Sequence, residues 1–558
     1  MLNKSTVENL VPILKKDVKR SLSMAVPGFP KPYYCSLLLK DIHWFNTWAS
    51  SGSICRVQQD RTRNLYCDLR VGSYKYDQVT EGGLLELDED LDSFSHTTAP
   101  IDDKDYDGLR LTIWKLLESK FREALMDYND KEATRISVPD PNNGLQSFTK
   151  GKRISHRQLS RMDRVPHEIW NRFCKRASAW IADLPKISGG WVEFDASQET
   201  RVFVNSEGTV TAQNSQVFCL TANIHKLTKE GVRLEQDLVI NCGALSELPD
   251  MRTFKKLLMH KYEILLKTAK AKKIHAFSGP VLLYPGPAGL LFHEAVGHRL
   301  EGSRLLSTGE GQTFKGHIGK KILPLPITIR DNPLKKSFRG ERCIGAYTYD
   351  DEGSKAKDVV LVEEGILKSY LSTRAALKKG RHVSNGHART KAEQRPISRM
   401  AVTIVEAACG EPLDVLKDKL IEEIKRQDKP FGMIVYETNG GETDTSTYDF
   451  QGFSGDVTYA TLIYPNGKEV CIRGVNFVGT PLQSLNNIIA IGDTPELDNG
   501  FCGAESGLLP ISTISPAVLV SNLELQAQEE ELVTPSILKR PQSMKRRKKS
   551  KKRREKNS

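Results

Sequence analysis

Residues 290–301 constrain this chain most, because they place two histidines and a carboxylate within six positions directly after an apolar run. His293, Glu294 and His298 form the pattern HExxxH, in a chain of 558 residues that has only 12 His. Neutral imidazole is a common ligand of zinc, and a carboxylate beside a bound metal can act as a general base. We therefore predict a metal site here. The alternative is that both histidines are ordinary helix residues and Glu294 is a solvated charge.

The HExxxH spacing predicts an irregular helix. In the related pattern HExxH, both histidines lie on one helical face. Five residues of a regular α-helix turn roughly 500°, so the imidazoles of His293 and His298 would point about 140° apart. A π-type turn, with its i→i+5 hydrogen bond, would return them to the same side. Gly297, directly before His298, is the predicted place for this distortion or for a helix end.

Length and composition predict an ordinary soluble protein of two or more domains. The 558 residues are 39% hydrophobic and 27% charged, and a chain of this length can bury more than one core. No apolar run reaches the roughly 18 residues of a membrane helix, and the first residues lack a signal-peptide pattern. The ten cysteines are scattered without a CxxC pair, as expected for reduced thiols. We therefore predict a cytoplasmic protein without membrane contact.

The net charge of +12 is concentrated in a C-terminal tail. From Lys539 onward, twelve Lys and Arg face the single acid Glu555, which gives this segment a charge of +11 and leaves the remaining chain near neutral. Low-complexity sequence of this kind cannot bury enough apolar surface to order itself, so residues 529–558 are predicted to be disordered. Nonspecific, salt-sensitive binding of polyanions is the interaction that such a tail indicates.

Hydrophobic periodicity divides the chain into a mixed N-terminal part and a β-rich C-terminal part. The N-terminal part has predicted helices at 1–24, 109–128, 166–184 and 254–271, and strands at 33–39, 65–71, 216–227 and 231–241. After the HExxxH segment short strands dominate, interrupted by one helix at 412–426. We predict an α+β fold. It comprises an N-terminal α/β domain (1–275), a β-rich domain (276–528) that carries the metal motif on an irregular helix, and the tail (529–558).

Six segments of the C-terminal part form an ordered set of motifs. They are HEAVGHRLEG at 293–302, DDEG at 350–353, EEGILKSYL at 363–371, RPISRM at 395–400, IGD at 491–493 and GFCG at 500–503. In this order they resemble the signature elements of the TldD/PmbA family of metallopeptidases, on its TldD side. The resemblance covers residues 280–525, and the first domain is recognisable only as an α/β partner of suitable length.

The resemblance implies a third metal ligand and a reaction. In active family members a Cys near the C-terminal end joins the two motif histidines, and Cys502 occupies that position; the alternative is a buried structural thiol. The implied site is one zinc ion held by His293, His298 and Cys502, with Glu294 taking a proton from the water that attacks a peptide carbonyl. The implied function is a zinc-dependent metallopeptidase for peptides or unfolded polypeptide segments. It would work as a homodimer or as a heterodimer with a PmbA-like subunit.

The chain departs from the family pattern at several positions around these motifs. Arg299 and Ser303 stand where the family often has Gly and Asp, Ser398 replaces a proline, and Ala504 replaces the usual Lys after Cys-Gly. These changes leave the implied ligands intact. They bear on substrate specificity and on pairing between subunits.

Two arginines of the RPISRM segment are candidate substrate-binding residues. A guanidinium can hold a carboxylate through two parallel hydrogen bonds, so Arg395 and Arg399 could bind the carboxylate of a substrate. The alternative is that they form internal ion pairs.

Two other classes of function compete with the peptidase. The first is a nucleic-acid-associated protein, suggested by the basic tail and by the family's former link to modulation of DNA gyrase. The tail alone does not indicate this, because the rest of the chain is near neutral. The second is a noncatalytic, PmbA-like assembly subunit. PmbA-type proteins lack the HExxxH pattern, so its presence favours the catalytic type.

Overall fold

The computed structural model describes residues 2–79, 95–135, 144–274, 276–307, 311–446, 451–528 and 532–534. The predicted disordered tail lies outside these residues apart from 532–534. Among the described helices, none is both long enough and apolar enough to cross a membrane. All ten cysteines lie in the described ranges, and all are free thiols.

In the described residues, the N-terminal half forms one sheet with four α-helices. The helices are α1 (Lys4–Ser21), α2 (Asp107–Thr134), α3 (His167–Ala182) and α4 (Met251–Thr268), and the strands are β1 (Pro32–Ser50), β2 (Ser53–Val71), β3 (His96–Thr98), β4 (Ser155–Arg157), β5 (Gly189–Asn205), β6 (Val210–Leu227) and β7 (Arg233–Cys242). The strand order is β3-β2-β1-β5-β6-β4, and β7 also pairs with β6. Neighbouring strands are antiparallel except β4, which runs parallel to β6.

The helices cover one face of this sheet in two clusters. Near one end of the long strands, the apolar stripe of α1 packs with α2 and with Leu37 and Leu39 of β1. Near the other end, α3 and α4 pack with Phe45 of β1 and with β5 and β6. Side chains alternate between the faces of a strand, so the opposite face presents residues such as Lys40 to the C-terminal half.

The first strand is longer than its sequence predicts. A strand-like run predicts a strand at 33–39, whereas β1 continues to Ser50 and pairs along its length with β2 and β5. The pattern is hidden by buried polar residues: Lys40 and Asp41 are both buried. Asp41 is paired with Arg61 and Arg63 of β2 at 2.9 and 2.8 Å. Buried charges of this kind are stable only when paired, and such pairing is invisible to periodicity.

Over its described ranges, the C-terminal half contains two larger sheets and three α-helices. Its helices are α5 (Pro285–Phe292), α6 (Leu413–Arg426) and α7 (Pro481–Asn486), and its strands are β8 (Lys272–Lys273), β9 (Ala276–Leu283), β10 (Ile327–Asp331), β11 (Ser337–Phe338), β12 (Glu341–Arg342), β13 (Val359–Glu363), β14 (Ile366–Leu367), β15 (Ala388–Arg389), β16 (Ile397–Ser398), β17 (Val402–Ala407), β18 (Gly432–Thr443), β19 (Phe453–Ile463), β20 (Glu469–Arg473), β21 (Val475–Gly479), β22 (Ile488–Ile491), β23 (Glu496–Cys502), β24 (Leu509–Ser515) and β25 (Val518–Ala527). The predicted α+β fold, with a β-rich C-terminal part, is confirmed.

The two C-terminal sheets enclose the segment with the HExxxH pattern. The larger sheet runs β18-β9-β25-β21-β19-β20-β8, with β22 paired to β25, and the pairing of β18 with β19 closes five of its strands into a ring. The smaller sheet runs β14-β13-β10-β17-β24-β23, so β23 lies at its edge. Helix α5 contacts β18 and β19 of the larger sheet and β23 and β24 of the smaller one. The site is therefore built where the two sheets meet.

Buried charges join the two halves of the chain. Asp351, in the DDEG segment, accepts a hydrogen bond from Arg201 of β5 at 2.9 Å and lies 3.4 Å from the ammonium group of Lys40. Nearby, Arg374 donates to Glu207 at 2.8 Å and to the backbone carbonyl of Thr149 at 2.6 Å. These contacts fix the C-terminal half against the face of the N-terminal sheet that the helices leave open.

Candidate metal centre

The HExxxH residues occupy a π-helical turn. Helix α5 ends at Phe292, the π-turn covers His293–Gly297, and a 3₁₀ turn follows at His298–Leu300. The backbone N–H of His298 donates to the carbonyl of His293, which is the i→i+5 bond that defines a π-turn. The distortion predicted from the spacing is therefore confirmed, and it brings His293 and His298 to one side.

Gly297 is the last residue of this turn, and its role is to leave space. Its φ of −56° is ordinary for a helix, so the backbone conformation does not demand glycine. A Cβ atom at this position would lie 2.0 Å from the Sδ atom of Met400. Close packing between the π-turn and the RPISRM segment, rather than conformational freedom, explains the glycine.

Three potential ligand atoms converge at the turn. Cys502, the last residue of β23, places its Sγ 3.3 Å from Nε2 of His293 and 3.3 Å from Nε2 of His298. All three ligand atoms lie within 4.8 Å of one another, and all three residues are buried. Tetrahedral zinc with ordinary Zn–S and Zn–N bonds separates sulfur from nitrogen by about 3.5 Å. The donor types and their spacing therefore fit a zinc ion.

The electrostatics of the three residues favour a thiolate. Burial alone would raise the pKa of Cys502, but His298 and His293 hold the pKa well below its usual range. Burial alone would lower the pKa of His298, whereas the charges of Glu301 and Cys502 raise it to about 10. The pKa of His293 is also raised, because Cys502 outweighs the opposing effect of burial. Thiolate sulfur is the form of cysteine that binds metals.

The Glu294 side chain lies beside the ligand atoms. Its Oε2 is 3.9 Å from Nε2 of His298, the same nitrogen that faces Cys502, and the residue is 4% exposed. Its backbone carbonyl accepts a hydrogen bond from Arg299 at 2.6 Å, and Arg299 also donates to the hydroxyl of Thr443 at 2.8 Å. The carboxylate thus lies at the edge of the ligand set, and Arg299 holds the backbone of the same residue.

The sequence did not reveal Glu301 as part of the site. Its Oε2 lies 3.1 Å from Nδ1 of His298, on the opposite side of the ring from Cys502. The signal was its position three residues after His298, since residues so spaced are neighbours on a helical turn. A glutamate at that position is more often solvated, and Glu301 is completely buried.

The two candidate substrate-binding arginines differ in their surroundings. Arg399 is 1% exposed, donates to the backbone carbonyl of Cys502 at 2.8 Å and lies 3.5 Å from Oε1 of Glu301. These contacts correspond to the alternative interpretation of Arg399 as part of an internal ion pair. Arg395 is half-buried, and its predicted role in substrate binding stays a prediction.

Two of the departures from the family pattern contact each other. The backbone N–H of Ser303 donates to Oγ of Ser398 at 2.8 Å, and the N–H of Ser398 donates to Oγ of Ser303 at 3.0 Å. Their hydroxyl oxygens are 3.1 Å apart. Each serine hydroxyl accepts the backbone N–H of the other serine, so the two replacements form one hydrogen-bonded pair. The three potential ligand atoms still converge at the π-turn.

Known proteins resemble this chain in its C-terminal part. Residues 278–527 match the family model of the PmbA/TldA metallopeptidase C-terminal domain. A metalloprotease of Archaeoglobus fulgidus is 33% identical over 258 residues, 46% of this chain and 55% of the relative. A zinc metalloprotease TldD homolog of Saccharolobus solfataricus is 25% identical over 279 residues, 50% of this chain and 58% of the relative. The matched segment thus spans little more than half the length of these curated relatives.

Solved structures share the fold over nearly the whole chain. A putative modulator of a DNA gyrase from Thermotoga maritima superposes with a TM-score of 0.61 at 13% identity, over 94% of this chain and 99% of that chain. TldE from Thermococcus kodakarensis superposes with a TM-score of 0.60 at 14% identity, over 94% and 100%. Identities this low show the fold alone. The chain therefore shares the fold of these structures, and its C-terminal part resembles the C-terminal domain of the PmbA/TldA metallopeptidases.

Proposed function

We propose that this protein is a zinc-dependent metallopeptidase that hydrolyses peptides or unfolded polypeptide segments. The observation that carries the proposal is the convergence of His293, His298 and Cys502 on one buried point, with the carboxylate of Glu294 beside it. The curated relatives named metalloproteases support it. A noncatalytic subunit would not require three metal ligands with a general base beside them.

In the proposed site each residue has a distinct role. His293 and His298 would hold the zinc ion through Nε2, and Cys502 would hold it through its thiolate, which is a usual number of protein ligands for catalytic zinc. Zinc, when bound, polarises a carbonyl oxygen and makes water more acidic. Glu294 accepts the proton of the attacking water and then delivers it to the leaving amine.

The π-turn is what gives Glu294 this role. Because the turn brings both histidines to one side, the residue that follows His293 lies at the edge of the ligand set instead of on the far face. Arg299 holds the backbone of Glu294 through the carbonyl. The base is therefore fixed at its main chain, and its carboxylate lies 3.9 Å from Nε2 of His298.

The test is substitution of the base. Glu294→Gln keeps the shape of the side chain and removes its basicity, so bound zinc should be retained while peptide hydrolysis falls by about 10²–10⁴-fold. Zinc content and hydrolysis of an unfolded polypeptide are measured on the same preparation. Loss of zinc would make Glu294 a ligand, and near-normal hydrolysis would rule out the mechanism.

A matched control lies on the other side of the larger sheet. Glu423 on α6 is also buried, at 6% exposed, and is bonded to Arg426 at 2.6 Å. Glu423→Gln should leave hydrolysis unchanged. Equal losses in both variants would show that the effect on Glu294→Gln comes from the fold.

We also propose that the chain acts as a dimer, with a second copy or with a PmbA-like subunit, as the family resemblance implies. Support comes from the fold that it shares with TldE of Thermococcus kodakarensis. Sedimentation of the purified protein tests this: a mass of two chains supports a homodimer. A monomer that hydrolyses peptides without any added subunit would contradict the proposal.

A further inference from the structure

Four buried or half-buried charged side chains join the two parts of the candidate metal site. They are Glu301, Arg304, Arg399 and Glu505, here called the ion-pair clamp. We propose that this clamp fixes His298 and Cys502 in ligand geometry before any metal binds, with Glu301 as the positioning residue of His298. The inference rests on the proposed zinc site and adds the residues that set its affinity.

The first contact of the clamp orients an imidazole. Glu301 lies 3.1 Å from Nδ1 of His298. With Nδ1 held at this carboxylate, the ring turns Nε2 toward Sγ of Cys502, 3.3 Å away. A carboxylate in this position fixes both the tautomer and the rotation of the ring, and it makes the ligand nitrogen more basic.

Two guanidinium groups hold the carboxylate itself. Arg304 donates from Nε to Oε2 of Glu301 at 2.9 Å, and Nε of Arg399 lies 3.5 Å from Oε1. Glu301 is completely buried, so its charge is tolerable only because it is paired. Its position is therefore dictated by the two arginines rather than by its own flexible side chain.

The same arginines reach the end of β23. Arg399 donates to the backbone carbonyl of Cys502 at 2.8 Å, and Arg304 donates to the two carboxylate oxygens of Glu505 at 2.9 and 3.0 Å. Fork-to-fork pairing of this kind fixes geometry as well as adding attraction. Cys502 and His298 are 204 residues apart in sequence, and the clamp ties the segments that carry them to one carboxylate.

The other histidine lacks such a partner. Nδ1 of His293 is buried and has no hydrogen-bond partner in the described part of the chain. Its ring is positioned by the junction of α5 and the π-turn. The ligand set is thus asymmetric, and the clamp should matter for His298 and Cys502 only.

The experiment measures zinc affinity by competition with a chromophoric chelator. Glu301→Gln has the same shape, but its amide would turn N–H groups toward the arginines or toward His298. Zinc should bind about 10–100-fold more weakly. Glu505→Gln breaks only the fork with Arg304 and should weaken zinc binding by a smaller factor. Cobalt(II) provides a second readout: at saturating cobalt, the thiolate-to-metal absorption of Cys502 should still form in both variants.

The matched control is a second buried carboxylate–histidine pair in the same domain. Asp331 lies 3.1 Å from Nε2 of His387, and both residues are completely buried. Asp331→Asn should leave zinc affinity unchanged even if it lowers thermal stability. Wild-type affinity in Glu301→Gln, or an equal loss in Asp331→Asn, would overturn the inference. A wild-type protein that binds no zinc would instead overturn the proposed function, and this inference with it.

Discussion

Gly297→Ala tests whether close packing holds the π-turn in place. The added Cβ would lie 2.0 Å from Sδ and 2.8 Å from Cε of Met400, whereas relaxed contacts between such atoms are about 3.5–4.0 Å. Either Met400 or the turn must therefore move by about 1.5 Å. Met400 is 1% exposed, so it has little room to withdraw.

The expected loss of stability in Gly297→Ala follows from the cost of overpacking a core. Extra atoms in a filled core cost about 1–3 kcal/mol, and in a domain of this size each kcal/mol lowers the melting temperature by about 2–4 °C. We expect Gly297→Ala to melt roughly 2–12 °C below the wild type. Because His298 follows directly, zinc affinity should fall as well.

A double-mutant cycle assigns this cost to one contact. Met400→Ala alone should cost about 2–5 kcal/mol by leaving a cavity. The pair Gly297→Ala/Met400→Ala should be less destabilised than the sum of the single variants, by about 1–3 kcal/mol. Gly286→Ala is the control, because a Cβ there, in α5, meets no atom within 4 Å. A wild-type melting temperature for Gly297→Ala, or strict additivity in the cycle, would refute the reasoning.

Three further predictions concern the junction of the two halves and the tail. Asp351→Asn leaves Lys40 and Arg201 without their buried partner and should cost about 3–5 kcal/mol, measured by thermal melting. Burial raises the pKa of Glu352 to about 7, so its contribution to stability is present below pH 4.5 and is lost as the pH rises through about 7. Glu352→Gln, which stays neutral, should therefore lose less stability than the wild type between pH 5 and pH 8. Deletion of residues 539–558 should leave peptide hydrolysis intact and abolish salt-sensitive retention on DNA.

A specific experimental outcome would contradict each of these three predictions. For the junction, the control is Asp358→Asn, which removes an exposed partner of Arg330 and should cost no more than about 1 kcal/mol. An equal cost in Asp351→Asn would show that the buried contact contributes little. A steeper decline of stability with pH in Glu352→Gln would contradict the sign of the pKa effect. Loss of hydrolysis on deletion of the tail would give the tail a part in the reaction.

The part of the site that lies close together in sequence could be predicted from the sequence. The spacing of His293 and His298 implies a π-turn through helix geometry alone, and the structure has that turn. Cys502 carries no such local signal, because it approaches the turn from a distant strand. Only the resemblance to a family pointed to it.

Buried charge is what sequence patterns fail to show. Glu301 looks like a surface residue in sequence, but it is buried. Lys40 and Asp41 follow directly after the strand-like run 33–39, which is why the sequence predicts an end of the strand there. In each case the partner that makes burial possible lies elsewhere in the chain, so no local pattern can identify it.

The most direct test of the central claim is the metal content of the purified protein. The account predicts one zinc ion per chain in the wild type, loss of most of it in His293→Ala and in Cys502→Ser, and full retention in Cys343→Ser. Cys343 is a buried thiol of the same domain that packs in an apolar cluster away from the ligands. A wild type without a bound divalent metal, or wild-type zinc in Cys502→Ser, would contradict the account.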